Sequence, residues 1–159
     1  MSSSNKIKLE PIGFVKTKAV GIEVRDKNII SQIVFCEELT EALEGIQDFS
    51  HMFVLFWLHK MSDEDREIMK VHPRGRRDMP LLGIFATRTP HRPNPIGLTR
   101  VKLLGVEGNV VNVQGLDAFN GTPVLDIKPL DRWDTTEDFK VPEWWMRLEK
   151  EKTERKEET

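Results

Sequence analysis

Residues 87–97, TRTPHRPNPIG, carry the densest concentration of chemistry in the chain. Pro90, Pro93 and Pro95 fall within six residues, and each fixes its own φ and removes a backbone donor. Such a segment has little conformational freedom left to lose on folding. It carries Arg88, His91, Arg92 and Asn94, whose donors suit a carboxylate, a phosphate or a nucleobase edge. A loop with only structural duties does not need so many polar groups in so stiff a setting. Functional groups gather on loops that a rigid scaffold positions, so this segment is expected to form part of a site.

Residues 115–129, GLDAFNGTPVLDIKP, are the second such stretch. Asp117 and Asn120 flank a turn with Phe119 between them, an arrangement that suits the hydroxyl and amino groups of an adenosine beside an aromatic contact. Ordinary turn chemistry, in which Asp and Asn serve the backbone, explains the same residues, and both readings stay open. Asp126 and Lys128 lie two apart on an expected strand, share one face, and read equally well as a plain charge pair.

The chain has 159 residues, 38% hydrophobic and 31% charged, enough for one core under a heavily charged surface. A net charge of -2 does not by itself call for a nucleic-acid partner. Its distribution is more informative: residues 66–102 hold nine Lys and Arg against Glu67 and Asp78. Within that stretch Arg74, Arg76 and Arg77 sit on a Pro- and Gly-containing loop and are expected to meet phosphates, the alternative being a solvated basic surface. Cys36 is the single cysteine, which excludes an internal disulfide and fits a small strand hydrophobe. The histidines at 51, 59, 72 and 91 lack ligand spacing, so no metal is expected. No G-x-G, Walker loop, H-E-x-x-H or G-x-S-x-G occurs, which argues against a Rossmann turn, a phosphate loop, a zincin and an α/β-hydrolase. The polar residues 1–5 lack the apolar run of a secretory signal, and the longest apolar run, residues 52–58, is too short for a bilayer. A cytoplasmic protein is expected.

The elements that must position these residues are mostly strands. Residues 9–17, 29–35, 51–58, 81–87, 98–106, 110–116 and 122–130 read as strands, by β-branched enrichment or alternation. Residues 51–58 are apolar on both faces, as a central strand would be. Leu39, Leu43 and Ile46 predict a short amphipathic helix over 37–49, and Ser62 with Asp63, Glu64 and Asp65 predicts a capped helix running to Lys70. Asn120–Gly121 is a hairpin signal. After residue 141, Trp144 or Trp145 is expected to dock a C-terminal helix with a frayed charged end. The organisation expected is a flexible N-terminus over 1–8, a barrel domain over 9–141, and a helix with tail over 142–159. The fold class is mainly β, one closed barrel with short peripheral helices, since closure removes exposed strand edges.

With these motifs the chain resembles the TsaA-like family, whose characterised enzymes are called TrmO. The resemblance rests on residues 83–98, on Asp117 through Pro129, and on Phe49, Ser50 and His51 before the strand ending in His59 and Lys60, and it spans about 9–130. It implies a β-barrel methyltransferase that uses S-adenosylmethionine, forms homodimers, and methylates N6 of threonylcarbamoyl-adenosine beside the tRNA anticodon. By the same resemblance His59, Lys60, Arg88, Leu98, Asp117, Ala118, Phe119 and Asn120 are expected to contact the cofactor. Arg92 and Asn94, inside the motif, are expected to face substrate or cofactor. The chain departs from the family at residues 21–26, GIEVRD, where many relatives have Pro-Arg-Gln, so no role transfers there. Bacterial members also carry a second C-terminal domain implicated in handling tRNA, which is not expected here. No catalytic base is assigned; Asp117, Asp126 and His91 are candidates by chemistry alone. The competing readings are a non-catalytic module that binds S-adenosylmethionine or RNA, and a methyltransferase for another small substrate.

Overall fold

Segments with an apolar residue at every second position become the walls of one closed antiparallel barrel in the computed structural model, which describes residues 5–157. Its strands are β1 (Gly13–Lys16), β2 (Ile30–Phe35), β3 (His51–Trp57), β6 (Ile96–Glu107), β7 (Val110–Gln114) and β8 (Pro123–Pro129). Around the barrel they run β1-β2-β7-β6-β3-β8, and β8 returns to β1 through Gly13 and Val124. A two-stranded ribbon, β4 (Lys70–Val71) with β5 (Leu82–Gly83), stands apart from the barrel wall. Of the N-terminal residues expected to be flexible, 1–4 lie outside the described residues, and 5–8 are exposed. Residues 158 and 159 of the expected tail also lie outside them.

The period-two pattern decides which side chains fill the barrel. Met52, Val54 and Phe56 of β3 point inward with Ile33 of β2 and Val111 and Val113 of β7, all buried. Full burial of such a side chain is worth about 1.5–3 kcal/mol. On β6 Thr99 and Val101 are buried while Arg100 and Lys102 are exposed, as the alternation predicts. A bulge between Leu103 and Gly105 then breaks the alternation and leaves Leu104 outside. Gly97 pairs with Phe56, whose ring lies where a Cβ at position 97 would be. The glycine is what lets that ring fold inward across β6.

Several elements differ from the sequence expectation. The helix expected over 37–49 is instead two 3₁₀ turns, Glu37–Leu43 and Ile46–Asp48, separated by Gly45 at φ 87°. The first turn ends where Glu44 becomes extended, and the left-handed glycine leads the chain into the second. Even so, the spacing identified the side chains that pack, since Leu43 joins the core and Ile46 lies against it. The Ser62-capped helix is α1 (Asp63–Glu67), shorter than expected because Ile68 is already extended and Lys70 belongs to β4. The strand expected over 81–87 shrinks to β5. Residues Ile84–Ala86 coil into a 3₁₀ turn, whose Ile84 carbonyl accepts from both the backbone N–H and the hydroxyl of Thr87. Asn120–Gly121 does turn, with Gly121 at φ 80°, as the close of the 115–122 connection rather than as a two-residue hairpin.

The C-terminal helix α2 (Glu143–Glu157) forms with Leu148 as its buried residue; of the two tryptophans expected to dock it, Trp144 is half-buried and Trp145 remains 39% exposed. Charge completes the docking. Arg76 forks onto Asp78 at 2.6 and 3.0 Å and also pairs with Glu151. Arg147 reaches Asp78 at 2.6 Å and Glu151 at 3.1 Å. The hydrogen bonds from Arg76 hold the Asp78 carboxyl down to about 2 and lower that of Glu151 as well. These contacts are complete above the ordinary carboxylate range; those of Asp78 are lost as pH falls through about 2, and those of Glu151 as pH falls through its own lowered value. Arg76, expected to face phosphates, is thus committed to bracing α2.

Candidate functional site

Three chain segments meet at the end of the barrel where β3 stops and β6 begins. The first is the β3 terminus. Leu58 N–H donates to the Pro95 carbonyl at 2.7 Å, which ties this terminus to the proline loop. His59 and Lys60 follow, both exposed. The second is the proline loop itself, and the third is the β7–β8 connection holding Asp117 to Asn120. Two contacts tie the third segment in, one to the β3 terminus and one to β6, the strand that leaves the proline loop. The Lys60 ammonium lies 3.8 Å from the centre of the Phe119 ring, and the Thr99 hydroxyl on β6 donates to Asp117. Asn120 Oδ1 accepts the Thr17 N–H at 3.1 Å, and Ala118 is buried. Both readings left open by the sequence therefore hold for different residues: Asn120 serves the backbone, while the Phe119 ring faces a cation.

The proline loop is stiffened by arginines that turn inward onto its carbonyls. Arg88 Nη2 donates to the Leu98 carbonyl at 2.8 Å, joining the loop's beginning to the strand that leaves it. Arg92 Nη1 donates to the Thr87 and Thr89 carbonyls at 3.2 and 3.1 Å, with its guanidinium 5.7 Å from the Phe85 ring. From α1, Arg66 Nε donates to the Pro93 carbonyl at 2.9 Å and its guanidinium lies 5.8 Å from the Trp57 ring. Prolines cannot close a loop by N–H donation, so arginine side chains supply the missing donors. Arg92 is occupied as a brace. Arg88 spends one N–H on the brace and, being exposed, keeps other donors for a ligand. The Asn94 side chain is exposed and makes no hydrogen bond among the described residues.

The three candidate bases separate clearly. Asp117 lies within the convergence. His91 turns away toward α1, with Nδ1 3.3 Å from Asp65 Oδ1. The Asp65 carboxyl is held below its usual range, first by the Ser62 backbone N–H and then by the Ser62 hydroxyl, with His91 a smaller influence. Asp126 pairs with Lys128 at 3.0 Å. It sits beside Leu55, whose other neighbour is Leu98, in a row across the barrel's outer surface. Arg74 and Arg77 are exposed on the 73–77 loop. Among the described residues no group of three or more His, Cys, Asp or Glu is placed to hold a metal ion. No described helix is long and apolar enough to cross a membrane.

A six-stranded antiparallel barrel with its candidate site on connections at one end is a different class of scaffold from the parallel sheet that most nucleotide cofactors occupy. The chain belongs to the family of the tRNA-methyltransferase O N-terminal domain, whose family model matches residues 14–134. A Methanocaldococcus jannaschii protein named "Probable S-adenosyl-L-methionine-binding protein" is 43% identical over 112 residues, covering 70% of this chain and 88% of that one. A rat tRNA (adenine(37)-N6)-methyltransferase is 40% identical over 131 residues, covering 76% of this chain and 30% of that one. The crystal structure of TrmO from Pseudomonas aeruginosa superposes with a TM-score of 0.69 at 30% identity, covering 86% of this chain and 62% of that one. The chain thus spans less than two thirds of the solved relative and under a third of the rat protein.

Sequence reasoning missed Thr99 and Arg66, which fix the site without belonging to either motif. Neither has a distinguishing sequence signal: Arg66 lies among the acidic residues 63–67, and Thr99 precedes the alternating Arg100 and Lys102. The loop braces predict a measurable change. Arg92→Ala removes two carbonyl contacts, each worth about 0.5–1.5 kcal/mol. Amide exchange at Thr89 and His91 is expected to quicken about tenfold or more, while the midpoint of thermal unfolding shifts by no more than a few degrees. Unchanged exchange would show that the prolines alone hold the loop.

Proposed function

We propose that this protein transfers a methyl group from S-adenosylmethionine to N6 of threonylcarbamoyl-adenosine beside the anticodon of tRNA. The observation that carries the reading is the convergence of His59 and Lys60, the proline loop, and Asp117 to Asn120 at one barrel end. The residues fit the cofactor. The Phe119 ring already holds a cation, as a site for a sulfonium should. Lys60, His59 and the free donors of Arg88 suit the methionine carboxylate. Asp117, an acceptor, suits ribose hydroxyls. Bound there, the cofactor supplies an electrophilic methyl on a positively charged sulfur.

The chain's own residues then have to orient the acceptor and take a proton. N6 of threonylcarbamoyl-adenosine sits between a purine ring and a carbonyl, which delocalises its lone pair and acidifies its proton, so a weak base suffices. Asp117 is the candidate placed to accept that proton, and Thr99 orients its carboxylate. Asn94 has an unused amide on the loop for the base or the threonyl group. Arg74 and Arg77 are left to contact phosphates. Holding acceptor and donor in line is worth most of the acceleration in such a transfer. A tRNA substrate places the protein in the cytoplasm. The same reading puts a second copy against the outer face of β3 and β6, where Leu98 is 46% exposed beside Leu55. Light scattering at micromolar concentration should give a dimer's mass, and a strict monomer would contradict that part.

Incubation with radiolabelled S-adenosylmethionine and bulk tRNA, followed by nucleoside mass analysis, tests the reading. Label is expected in threonylcarbamoyl-adenosine and should persist after chelation of metals. Arg88→Ala should cut transfer by about 10²-fold with a stability change under about 1 kcal/mol. Cofactor binding without transfer would favour a binding module. Transfer to a small molecule but not to tRNA would favour a different methyltransferase.

A further inference from the structure

We propose that the 73–77 loop and the C-terminal helix α2 form a cleft that takes the phosphate backbone of RNA. The inference rests on tRNA being the partner, as in the reading above. The cleft has a volume of about 380 Å³ and is lined by Arg74 and Arg76 from the loop and by Glu151, Lys152, Arg155 and Lys156 from α2. The family model ends at residue 134, so the α2 side lies outside it.

The charges in the cleft divide into two sets. Arg76 and Arg147 are matched by Asp78 and Glu151 in the network that docks α2. That set is neutral and structural. Arg74, Lys152 and Lys156 add positive charge around the same opening, which Arg155 also lines. Lys152, Arg155 and Lys156 stand at i, i+3 and i+4, hence on one helix face. Lys152 and Lys156 are spaced by about 6 Å along the axis. A row of this kind, with no buried polar donor converging on one point, suits the successive charges of a polyanion better than a single small anion. Contacts of this type position RNA without reading its sequence.

The loop is built to hold Arg74 in place. Arg74 has φ 56°, the one positive value for a non-glycine among the described residues, and Gly75 follows at φ 68°. His72 Nδ1 lies 2.8 Å from the Met79 carbonyl and closes the loop's base. A strained arginine persists only where its surroundings impose it. From that base the chain runs through the ribbon strand β5 to Gly83, four residues before the proline loop begins at Thr87. The loop that lines the cleft is thus joined to the proline loop by a short stretch of chain.

The test is the salt dependence of tRNA binding, measured for wild type, for Lys152→Ala with Lys156→Ala, and for Arg74→Gly, which suits the left-handed backbone. Helical circular dichroism confirms that α2 remains folded in each. Each lost phosphate contact lowers the slope of log K against log salt by about one. The lysine pair is expected to lose about two and Arg74→Gly about one, with S-adenosylmethionine affinity unchanged. If wild type methylates tRNA and neither variant changes the slope, the cleft is overturned while the proposed function stands. If wild type binds tRNA with the expected slopes yet transfers no methyl, the cleft stands and the methyltransferase reading fails. If wild type binds no tRNA, both fail.

Discussion

The pairing of β3 on both edges is the constraint from which the rest of the structure follows. β6 lies on one side in the register His51 to Lys102 through Trp57 to Ile96, and β8 lies on the other. A slip of one residue would turn Met52, Val54 and Phe56 out to solvent and bring Phe53 and Leu55 inward. The register is protected by burial on one face and by the Phe56 ring folded over Gly97. It also fixes the site, because β3 delivers His59 and Lys60 at the very point where the proline loop enters β6. Core packing and the geometry of the candidate site are set by the same ladder.

On that scaffold the proline loop presents a conflict between stiffness and hydrogen bonding. Three prolines remove three backbone donors, so the loop cannot satisfy its own carbonyls in the usual way. Arg66, Arg88 and Arg92 resolve this by donating inward. The arrangement has two consequences for function. The loop is ordered before any ligand arrives, so little conformational entropy is lost on binding. The arginine count, which looks like a basic surface in the sequence, overstates the charge that faces outward. The same holds for Arg76, whose charge is spent on Asp78 and Glu151.

Where local chemistry dominates, the sequence was a good guide. Strand patterning located the six barrel strands, and Ser62 and its acidic followers located α1; proline density marks a loop that the arginines brace. What it could not convey were the partners of polar side chains. Nothing in the sequence shows that Arg88 spends one donor on the Leu98 carbonyl, and Asp126 reads as a possible base until it is found paired with Lys128 outside the convergence. These partners are set by strand order around the barrel, which brings residues distant in sequence together and leaves no periodic signature. The helix type over 37–49 was illegible for a different reason. Leu39, Leu43 and Ile46 show which side packs, but the extended Glu44 and the left-handed Gly45 after it split the segment into two short turns.

The central claim is that one barrel end is already organised to receive S-adenosylmethionine between the β3 terminus, the proline loop and the β7–β8 connection. A crystal structure of the protein with that cofactor tests it most directly. The account predicts the sulfonium against the Phe119 ring with Lys60 displaced, and the proline-loop backbone unmoved to within about 1 Å, as is usual for preorganised sites. A cofactor bound elsewhere on the barrel, or a loop rebuilt around it with the arginine braces broken, would contradict it.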